Sequence, residues 1–284
     1  MTLRVLVVAS ETPDQQQSRR ERSGQASHET FAGTLRRLDP DLAIEHVCCV
    51  TEDWRTGDAS TPGGLRGFGA ILFAGSPIQM HEENQATRSA AEFMRVAFSS
   101  GVPSFGSCAG LQIATVAAGG STKPRERGME VAFARSIVAT DAGLDHPMLR
   151  GRPLAWDAPA MHASVVDRRP DGMTVLARTV DTPVEAAAIR SGGGVHWGVQ
   201  YHPELTLGEI ADAVRGAADA MIEQGMARDG AAVDRYAGIL QTLSEDPGRT
   251  DLAWQIGVDD EVTDEGNRTR EVRNFLDHAR EAAA

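Results

Sequence analysis

The sequence is poor in cysteine and in aromatic residues, and it has no long apolar run. Three cysteines among 284 residues are too few for a disulfide framework. No apolar run approaches the roughly 20 residues that a membrane-spanning helix needs, and the N-terminal one is too short for a secretory signal peptide. We therefore expect a cytoplasmic protein without membrane contact, in which a thiol can stay reduced and reactive.

Basic charge is scarce as well. The chain has 28 Lys and Arg residues against 40 Asp and Glu residues, a net charge of −12, and a pI of about 5.1. An acidic surface does not suit a phosphate backbone, so nucleic acid is not an expected partner. The hydrophobic share of 41% is ordinary for a globular protein of one large core, or of one domain with an extension.

Strand and helix patterns alternate along the first part of the chain. Short apolar runs typical of buried strands lie at 3–9, 42–50, 69–75 and 102–107, and helical spacing is found at 28–38, 84–100 and 109–120. This alternation predicts an α/β fold with a mostly parallel sheet and helices on both faces. Between 130 and 200 the strand patterns lie closer together, which indicates a β-rich excursion.

Two segments fall outside this alternation. The polar segment 10–27 suggests a long loop, either a simple surface loop or a lid or docking surface. After residue 205 the composition changes, and 205–226 is expected to be one helix that packs on the sheet. We therefore divide the chain into a domain at 1–205 and a C-terminal helical extension at 206–284, packed on or beside it.

The extension contains apolar residues at helical spacing that need a cover. Burial of a large apolar side chain stabilises the fold by about 1.5–3 kcal/mol. This stabilisation would be missing for each of Trp254, Ile256 and Phe275 that stayed in water. We expect these side chains to pack on the chain's own core, with a contribution to a homodimer. Docking on a different partner protein is the alternative.

Cys108 is the candidate nucleophile. It lies between Gly106 and Gly110, where a strand pattern runs directly into a helix pattern. Small neighbours permit the sharp, strained turn that presents a nucleophile, and a helix N-terminus favours thiolate over thiol. The N–H of Ala109 would point to where a tetrahedral oxyanion forms. A buried structural cysteine is the alternative interpretation.

His202 and Glu204 are the candidate base and its orienting carboxylate. His202 follows a strand pattern, and Glu204 stands two residues later. A thiol nucleophile needs a base and a third group that orients this base. Because Cys108 is distant in the sequence, the pairing must be spatial. Cys48 and Cys49 lie inside an apolar strand pattern and are expected to be packing residues.

These motifs resemble those of the class I, triad-type glutamine amidotransferases. The family's G-x-C-x-G-x-Q is found at 106–112 and its G-x-Q-[FY]-H-P-E at 198–204. The segment 74–77 resembles the family's Gly-Gly-Pro-like turn, with Ala74 where a first glycine is common. The resemblance covers about residues 3–205. It implies a flavodoxin-like sheet and hydrolysis of the glutamine side-chain amide through a γ-glutamyl thioester.

The resemblance also implies roles for individual residues. Cys108 would attack the amide carbon, His202 would move the proton to the leaving ammonia, and Glu204 would orient His202. Amides near Gly75 and Ser76, and that of Ala109, would form the oxyanion hole. The α-amino-acid end of the substrate would be held by Gln112, Met129, Ala163 and Ser164. His162 is either part of this grip or an ordinary strand-end residue. No cofactor and no metal is expected.

Two enzymatic interpretations remain open. The segment after residue 205 is too short for a synthase domain, and the chain has neither a P-loop nor a G-x-G-x-x-G motif. The protein is then either a glutaminase that feeds a synthase partner or a free-standing hydrolase that removes γ-glutamyl groups from amines. Its substrate is glutamine or a γ-glutamyl amide. A catalytically silent binding module is the alternative of another class, which the complete set of triad residues disfavours.

Overall fold

The computed structural model describes residues 2–283. The strands of this part are β1 (Arg4–Ala9), β2 (Ala43–Cys48), β3 (Ala70–Phe73), β4 (Ser104–Ser107), β5 (Ser121–Pro124), β6 (Glu130–Ala139), β7 (Ala155–His162), β8 (Ser164–Arg168), β9 (Met173–Arg178), β10 (Ala186–Ser191) and β11 (Gly194–Val199). Its α-helices are α1 (Pro13–Ser23), α2 (Ser27–Leu38), α3 (Pro62–Leu65), α4 (Gln85–Ser100), α5 (Ala109–Ala117), α6 (Asp141–Leu144), α7 (Leu207–Gly216), α8 (Ala218–Glu223), α9 (Gly230–Glu245), α10 (Thr250–Ile256), α11 (Asp260–Thr263), α12 (Glu265–Arg268) and α13 (Arg270–Ala283). Of the helices in this described part, none is long and apolar enough to cross a bilayer.

The strands form one large mixed sheet and one small sheet. The large sheet has the order β2-β1-β3-β4-β11-β10-β9-β6-β7, and β5 pairs with β8 in the small one. From β2 to β11 all neighbours are parallel, whereas β10, β9, β6 and β7 continue the sheet in antiparallel pairs. The predicted α/β fold is confirmed, and the β-rich excursion is the antiparallel continuation of its sheet.

Helices cover both faces of the parallel strands. Val7 of β1 lies in one apolar core with Phe31 of α2 and Phe275 of α13. Its neighbour Val8 lies in a second core, with Phe93 of α4. Burial on both faces explains why these strands are continuous apolar runs rather than alternating ones. Because β3, β4 and β11 are parallel neighbours, their carboxyl ends meet at one edge of the sheet. This fold class usually places its site at that edge.

The segment 10–27 contains a helix and is not the long loop that we predicted. Helix α1 has no buried residue, so its sequence lacks the apolar periodicity that reveals a helix. Its ends are capped instead, by a capping box of Thr12 and Gln15 and by Gly24 in the left-handed conformation. A role of this segment as a lid or docking surface stays a prediction.

The tail after residue 205 divides between two places in the fold. Helices α7 and α9 pack on each other, with Phe133 of β6 in the same apolar cluster. Helix α13 packs on the parallel strands, where the Phe275 ring lies 5.5 Å from that of Phe105 and 5.9 Å from that of Trp197. The predicted single helix at 205–226 is two helices. Helix α7 packs on β6 and β7 of the large sheet, as expected, and α13 packs on its parallel strands.

The apolar side chains of the tail differ in burial. Phe275 is fully buried, and Ile256 packs partly buried against the cluster of α7 and α9. Trp254 is 80% exposed, so it does not pack on the chain's own core. That part of the expectation was wrong for Trp254 because apolar spacing does not tell which side of a short helix meets the protein, and in α10 the buried residue is Ala253. The domain boundary at residue 205 and the homodimer stay predictions.

Candidate active site

Cys108 lies on a sharp turn between β4 and α5. Its backbone has φ 49° and ψ −101°, a conformation that costs a non-glycine residue about 1–3 kcal/mol. The Cys108 N–H donates to the carbonyl of Val199 in β11 at 2.7 Å, so the neighbouring strand helps to hold the turn. Cys108 is 5% exposed, and its Sγ lies 3.7 Å from the carbonyl oxygen of Met161. The turn places the thiol at the N-terminus of α5.

Gly106 and Gly110 provide the space for this turn. A Cβ on Gly106 would lie 2.8 Å from Cα of Gly110, and a Cβ on Gly110 would lie 2.9 Å from Cβ of Phe73. Neither glycine has a positive φ, whereas Cys108 does. The glycines are therefore required because β4 and α5 approach closely, and the backbone strain is at the cysteine itself.

His202 and Glu204 lie beside Cys108, just after β11. His202 Nδ1 is 2.8 Å from Glu204 Oε1, and both residues are buried. The Ser107 hydroxyl donates to the same carboxylate oxygen at 2.8 Å, and the Thr34 hydroxyl donates to the Glu204 carbonyl at 2.8 Å. Glu204 is thus fixed at its side chain and at its backbone, and it orients the imidazole through Nδ1.

The electrostatics of His202 favour a charged imidazole. Burial by itself lowers the pKa of His202, but the negative charge of Glu204 and hydrogen bonds with Cys108 and Glu204 raise this pKa well above its ordinary value. A protonated imidazole next to a thiol stabilises the thiolate form. The three side chains together can therefore hold a thiolate–imidazolium pair.

Gly75 belongs to the turn after β3 and lies against both catalytic candidates. A Cβ at this position would come within 2.5 Å of Cε1 of His202 and within 3.6 Å of Cβ of Cys108. Only glycine leaves room for the imidazole here. The structure thus brings Gly75 to the thiol, at the place where the oxyanion hole is predicted.

Ser76 and Ala109 are the other two predicted oxyanion donors. The Ser76 hydroxyl accepts from the Ile78 N–H at 3.3 Å and lies 2.9 Å from the Ser10 hydroxyl, so its side chain is bound within the turn. Ala109 is the first residue of α5, where a backbone N–H has no partner within the helix. Donation to an oxyanion by these amides stays a prediction.

Gln112, Ala163 and Ser164 lie together beside the elbow. Gln112 Nε2 donates to the Ser164 carbonyl at 3.0 Å and to Gln200 Oε1 at 3.1 Å. The carbonyl of Ala163 accepts from the Arg125 N–H at 2.8 Å. These contacts join α5 to the segment that follows β7. That they hold the α-amino-acid end of a substrate stays a prediction.

Met129 is engaged by the tail. Its N–H donates to Oε1 of Gln224 at 2.8 Å, and Gln224 directly follows α8. A Cβ on Gly128 would lie 2.1 Å from the same oxygen, so the side chain of Gln224 rests directly on this turn. The amide predicted to hold a substrate therefore has a protein partner in this structure.

His162, at the end of β7, has a partner at each ring nitrogen. Nε2 lies 2.8 Å from Glu130 Oε2, and Nδ1 lies 3.0 Å from the Ser164 carbonyl. Arg125 donates to the other oxygen of Glu130 at 3.0 Å. Since both nitrogens are occupied, His162 fits the interpretation of a strand-end residue that supports Ser164.

Several polar residues near the site were not singled out in the sequence. The Ser164 hydroxyl hydrogen-bonds Gln79 and lies 3.3 Å from His81 Nδ1, so the turn after Gly75 reaches across to this segment. Glu185 is fully buried, and burial together with the charge of Glu130 raises its pKa to about 8. No local pattern marks these residues, because their partners come from distant parts of the chain.

The other two thiols lie away from this site. Cys49 is fully buried, and burial raises the pKa of its thiol well above the ordinary value. Cys48 is half-buried, and its Sγ lies 3.5 Å from the Glu11 carbonyl oxygen. Over residues 2–283, no group of three or more His, Cys, Asp or Glu side chains is arranged to hold a metal ion.

The fold and this arrangement of cysteine, histidine and glutamate agree with the comparison to known families. The family Glutamine amidotransferase class-I matches residues 50–214, which is over half of the chain. The chain belongs to this family.

Three similar proteins indicate how far the match extends. A gamma-glutamyl-L-1-hydroxyisopropylamide hydrolase of a Pseudomonas sp is 33% identical over 220 residues, which are 75% of this chain and 73% of the relative. A glutamine-hydrolyzing GMP synthase of Leifsonia xyli is 34% identical over 147 residues, 51% of this chain but only 27% of the relative. The crystal structure of a glutamine amidotransferase from Thermotoga maritima covers 98% of both chains with a TM-score of 0.65 at 13% identity. This last likeness shows the fold, and it includes the tail.

Proposed function

We propose that the chain hydrolyses the γ-amide of glutamine or of γ-glutamyl amides, with Cys108, His202 and Glu204 as its catalytic triad. The observation that carries this proposal is the pair of His202 and Glu204, 2.8 Å apart, beside a cysteine on a strained strand–helix elbow. Such an arrangement supplies a thiolate, its base and the group that orients the base. Family membership agrees with this chemistry.

The reaction would proceed through a thioester. The Cys108 thiolate attacks the γ-carbonyl carbon, and the oxyanion is received by backbone amides near Gly75 and at Ala109. His202 gives its proton to the leaving nitrogen as the C–N bond breaks, which releases ammonia or an amine. His202 then takes a proton from water, the hydroxide attacks the thioester, and glutamate leaves as the C–S bond breaks.

Of the two enzymatic alternatives, we favour a free-standing hydrolase of γ-glutamyl amides. The match to the relative named for such an activity covers 73% of that relative's length. The match to the GMP synthase covers 27% of the synthase, so the chain spans about a quarter of that protein. Release of ammonia to a synthase partner is the second proposal, and it is supported by this local similarity.

Product analysis separates the alternatives. Purified protein is incubated with glutamine and with γ-glutamyl amides of small amines, and glutamate, ammonia and free amine are quantified by mass spectrometry. A free-standing hydrolase should give a kcat/KM for at least one γ-glutamyl amide that exceeds the value for glutamine. Hydrolysis of glutamine alone would favour the partner-fed alternative. No hydrolysis of any amide by protein with an intact Cys108 would refute the proposal.

A further inference from the structure

Glu271, in the C-terminal helix α13, hydrogen-bonds the residue that precedes His202. The Tyr201 hydroxyl donates to Glu271 Oε1 at 2.8 Å, and both side chains are fully buried. Burial and the nearby charge of Glu271 raise the pKa of Tyr201 well above its ordinary value. The hydroxyl therefore stays protonated at neutral pH and acts as the donor of this bond.

Arg152 holds Glu271 in place. Its Nε and Nη2 donate to the two carboxylate oxygens of Glu271, both at 2.7 Å, and its Nη1 donates to Glu261 at 2.6 Å. The side chains of Arg152 and Glu271 are 1% and 0% exposed. A bidentate pair fixes the orientation of a carboxylate, and a buried charge is tolerated only with such partners. Tyr201 is thus bonded to a rigid acceptor.

The chain around His202 is held at nearly every residue. The carbonyl of Val199 accepts from the Cys108 N–H, the Gln200 N–H donates to the Glu185 carbonyl at 2.7 Å, and the His202 N–H donates to the Pro159 carbonyl at 2.7 Å. The Glu204 carbonyl accepts from Thr34. Among these anchors, the one at Tyr201 comes from the tail, so α13 contributes directly to the support of the triad segment.

We propose that Glu271 is a positioning residue that acts through Tyr201 to keep the His202 imidazole against Cys108. The inference rests on the catalytic role proposed for His202. Tyr201 and His202 share one peptide unit, so loss of the Tyr201 anchor shifts the imidazole, and a misplacement of about 1 Å can cost about a hundredfold in rate. The tail is then part of the catalytic unit, and truncation after residue 228 impairs Cys108 as well as stability.

The test compares Tyr201→Phe, Glu271→Gln and the double variant with wild type. We expect kcat of each single variant to fall by about tenfold, with KM changed less than about twofold, because geometry and not substrate affinity is altered. If Glu271 acts through Tyr201, the double variant should be no slower than the slower single variant. Should Glu271→Gln fail to fold, Tyr201→Phe still carries the test, since it removes one oxygen and leaves the Arg152 pair intact.

Asn274→Ala is the matched control. Asn274 lies on the same helix and donates to the carbonyls of Met148 and Arg150 at 2.9 and 3.0 Å, without contact to the triad segment. Its kcat should stay within about twofold of wild type even where thermal stability falls. Equal losses of kcat in Asn274→Ala and Tyr201→Phe, additive losses in the double variant, or an unchanged Tyr201→Phe would each overturn the positioning role.

A second readout needs no substrate. The rate at which iodoacetamide alkylates Cys108 at neutral pH should fall in Tyr201→Phe and Glu271→Gln by about the same factor as kcat, and should not fall in Asn274→Ala. If no γ-glutamyl amide were hydrolysed while the alkylation rates changed in this way, the proposed function would fail and the positioning role would stand. Unchanged alkylation rates in an active enzyme would contradict the positioning role alone.

Discussion

Cys49 and Cys108 are both buried thiols that follow parallel strands of one sheet, yet their surroundings are opposite. Cys49, 0% exposed, lies in an apolar core, and burial raises the pKa of its thiol well above the ordinary value. Cys108, 5% exposed, lies at the N-terminus of α5 and near the imidazole that Glu204 orients. Burial alone disfavours a thiolate, whereas a positive charge beside a thiol favours one. The proposed nucleophile is thus distinguished from Cys49 by its partners rather than by its exposure.

The largest expected effect comes from the loss of the reactive thiol. Cys108→Ser should lower kcat by at least about a thousandfold, because a hydroxyl is a poor nucleophile in a site arranged for a thiolate. Its fold should be retained, since serine has nearly the same size. Steady-state hydrolysis of a γ-glutamyl amide and a thermal melt measure both properties. An active Cys108→Ser enzyme would show that Cys108, like Cys49, is not needed for catalysis.

Removal of the imidazole should make Cys108 resemble an ordinary thiol. His202→Ala should be about as damaging as loss of Cys108, since the two act as one unit. Glu204→Gln should be milder, with a loss about a hundredfold smaller than that of His202→Ala, because an amide oxygen can still accept from Nδ1 and from the Ser107 hydroxyl. Values of kcat/KM for both variants check this order, and a fully active His202→Ala enzyme would contradict the mechanism.

The pH dependence of alkylation tests the same pair without substrate. Because the pKa of His202 is raised, the imidazole stays charged as the pH rises through neutrality, and Cys108 should be alkylated faster over this range than in His202→Ala. In His202→Ala the rate should match that of a thiol without a cationic neighbour. Identical profiles for the two proteins would show that His202 does not stabilise the thiolate.

A smaller loss is expected from crowding the imidazole. Gly75→Ala places a methyl group within 2.5 Å of His202, so the ring must shift, and kcat should fall by about ten- to a hundredfold. Gly238→Ala is the matched control, because a Cβ at Gly238 in α9 meets nothing within 4 Å. Kinetics and melting temperature are compared for the two variants. Equal activity of both would mean that the approach of Gly75 to His202 has no catalytic consequence.

The smallest effect on catalysis is expected at the packing thiol. Cys49→Ser should keep kcat/KM within about twofold of wild type, while it lowers the free energy of unfolding by about 1–3 kcal/mol, because a buried hydroxyl without a partner is costly. Denaturant unfolding measured beside kinetics separates the two quantities. A large loss of activity at unchanged stability would show that Cys49 contributes to catalysis and is more than a packing residue.

The residues brought together at the site could be named from the sequence because each lies in a short motif. Positions 106–112 and 198–204 carry the proposed nucleophile, base and orienting carboxylate within a few residues of a strand end, and the fold then places these ends side by side. Supporting residues such as Thr34, Glu185 and Glu271 could not be named. Each contacts a residue of 198–204 from another segment of the chain, and sequence spacing does not encode such contacts.

Helices and strands could be predicted from the sequence where their apolar residues recur at a regular spacing. Both faces of the parallel sheet carry apolar side chains, so strands and helices such as α4 are evident in the sequence. Helix α1 was missed because its stability comes from capping and not from an apolar face. An apolar stripe indicates that a helix needs a cover but does not identify it, so the place of α13 on the parallel strands and the exposure of Trp254 emerge only in three dimensions.

Labelling with a glutamine analogue that alkylates thiols tests the central claim most directly. The three cysteines, Cys48, Cys49 and Cys108, compete for the reagent within one folded molecule, and peptide mapping by mass spectrometry reads the outcome. We predict a single adduct at Cys108, formed more slowly in the presence of a γ-glutamyl amide and absent from Cys108→Ser. An adduct at Cys48 or Cys49 in the folded protein, with Cys108 unmodified, would contradict the assignment of the nucleophile.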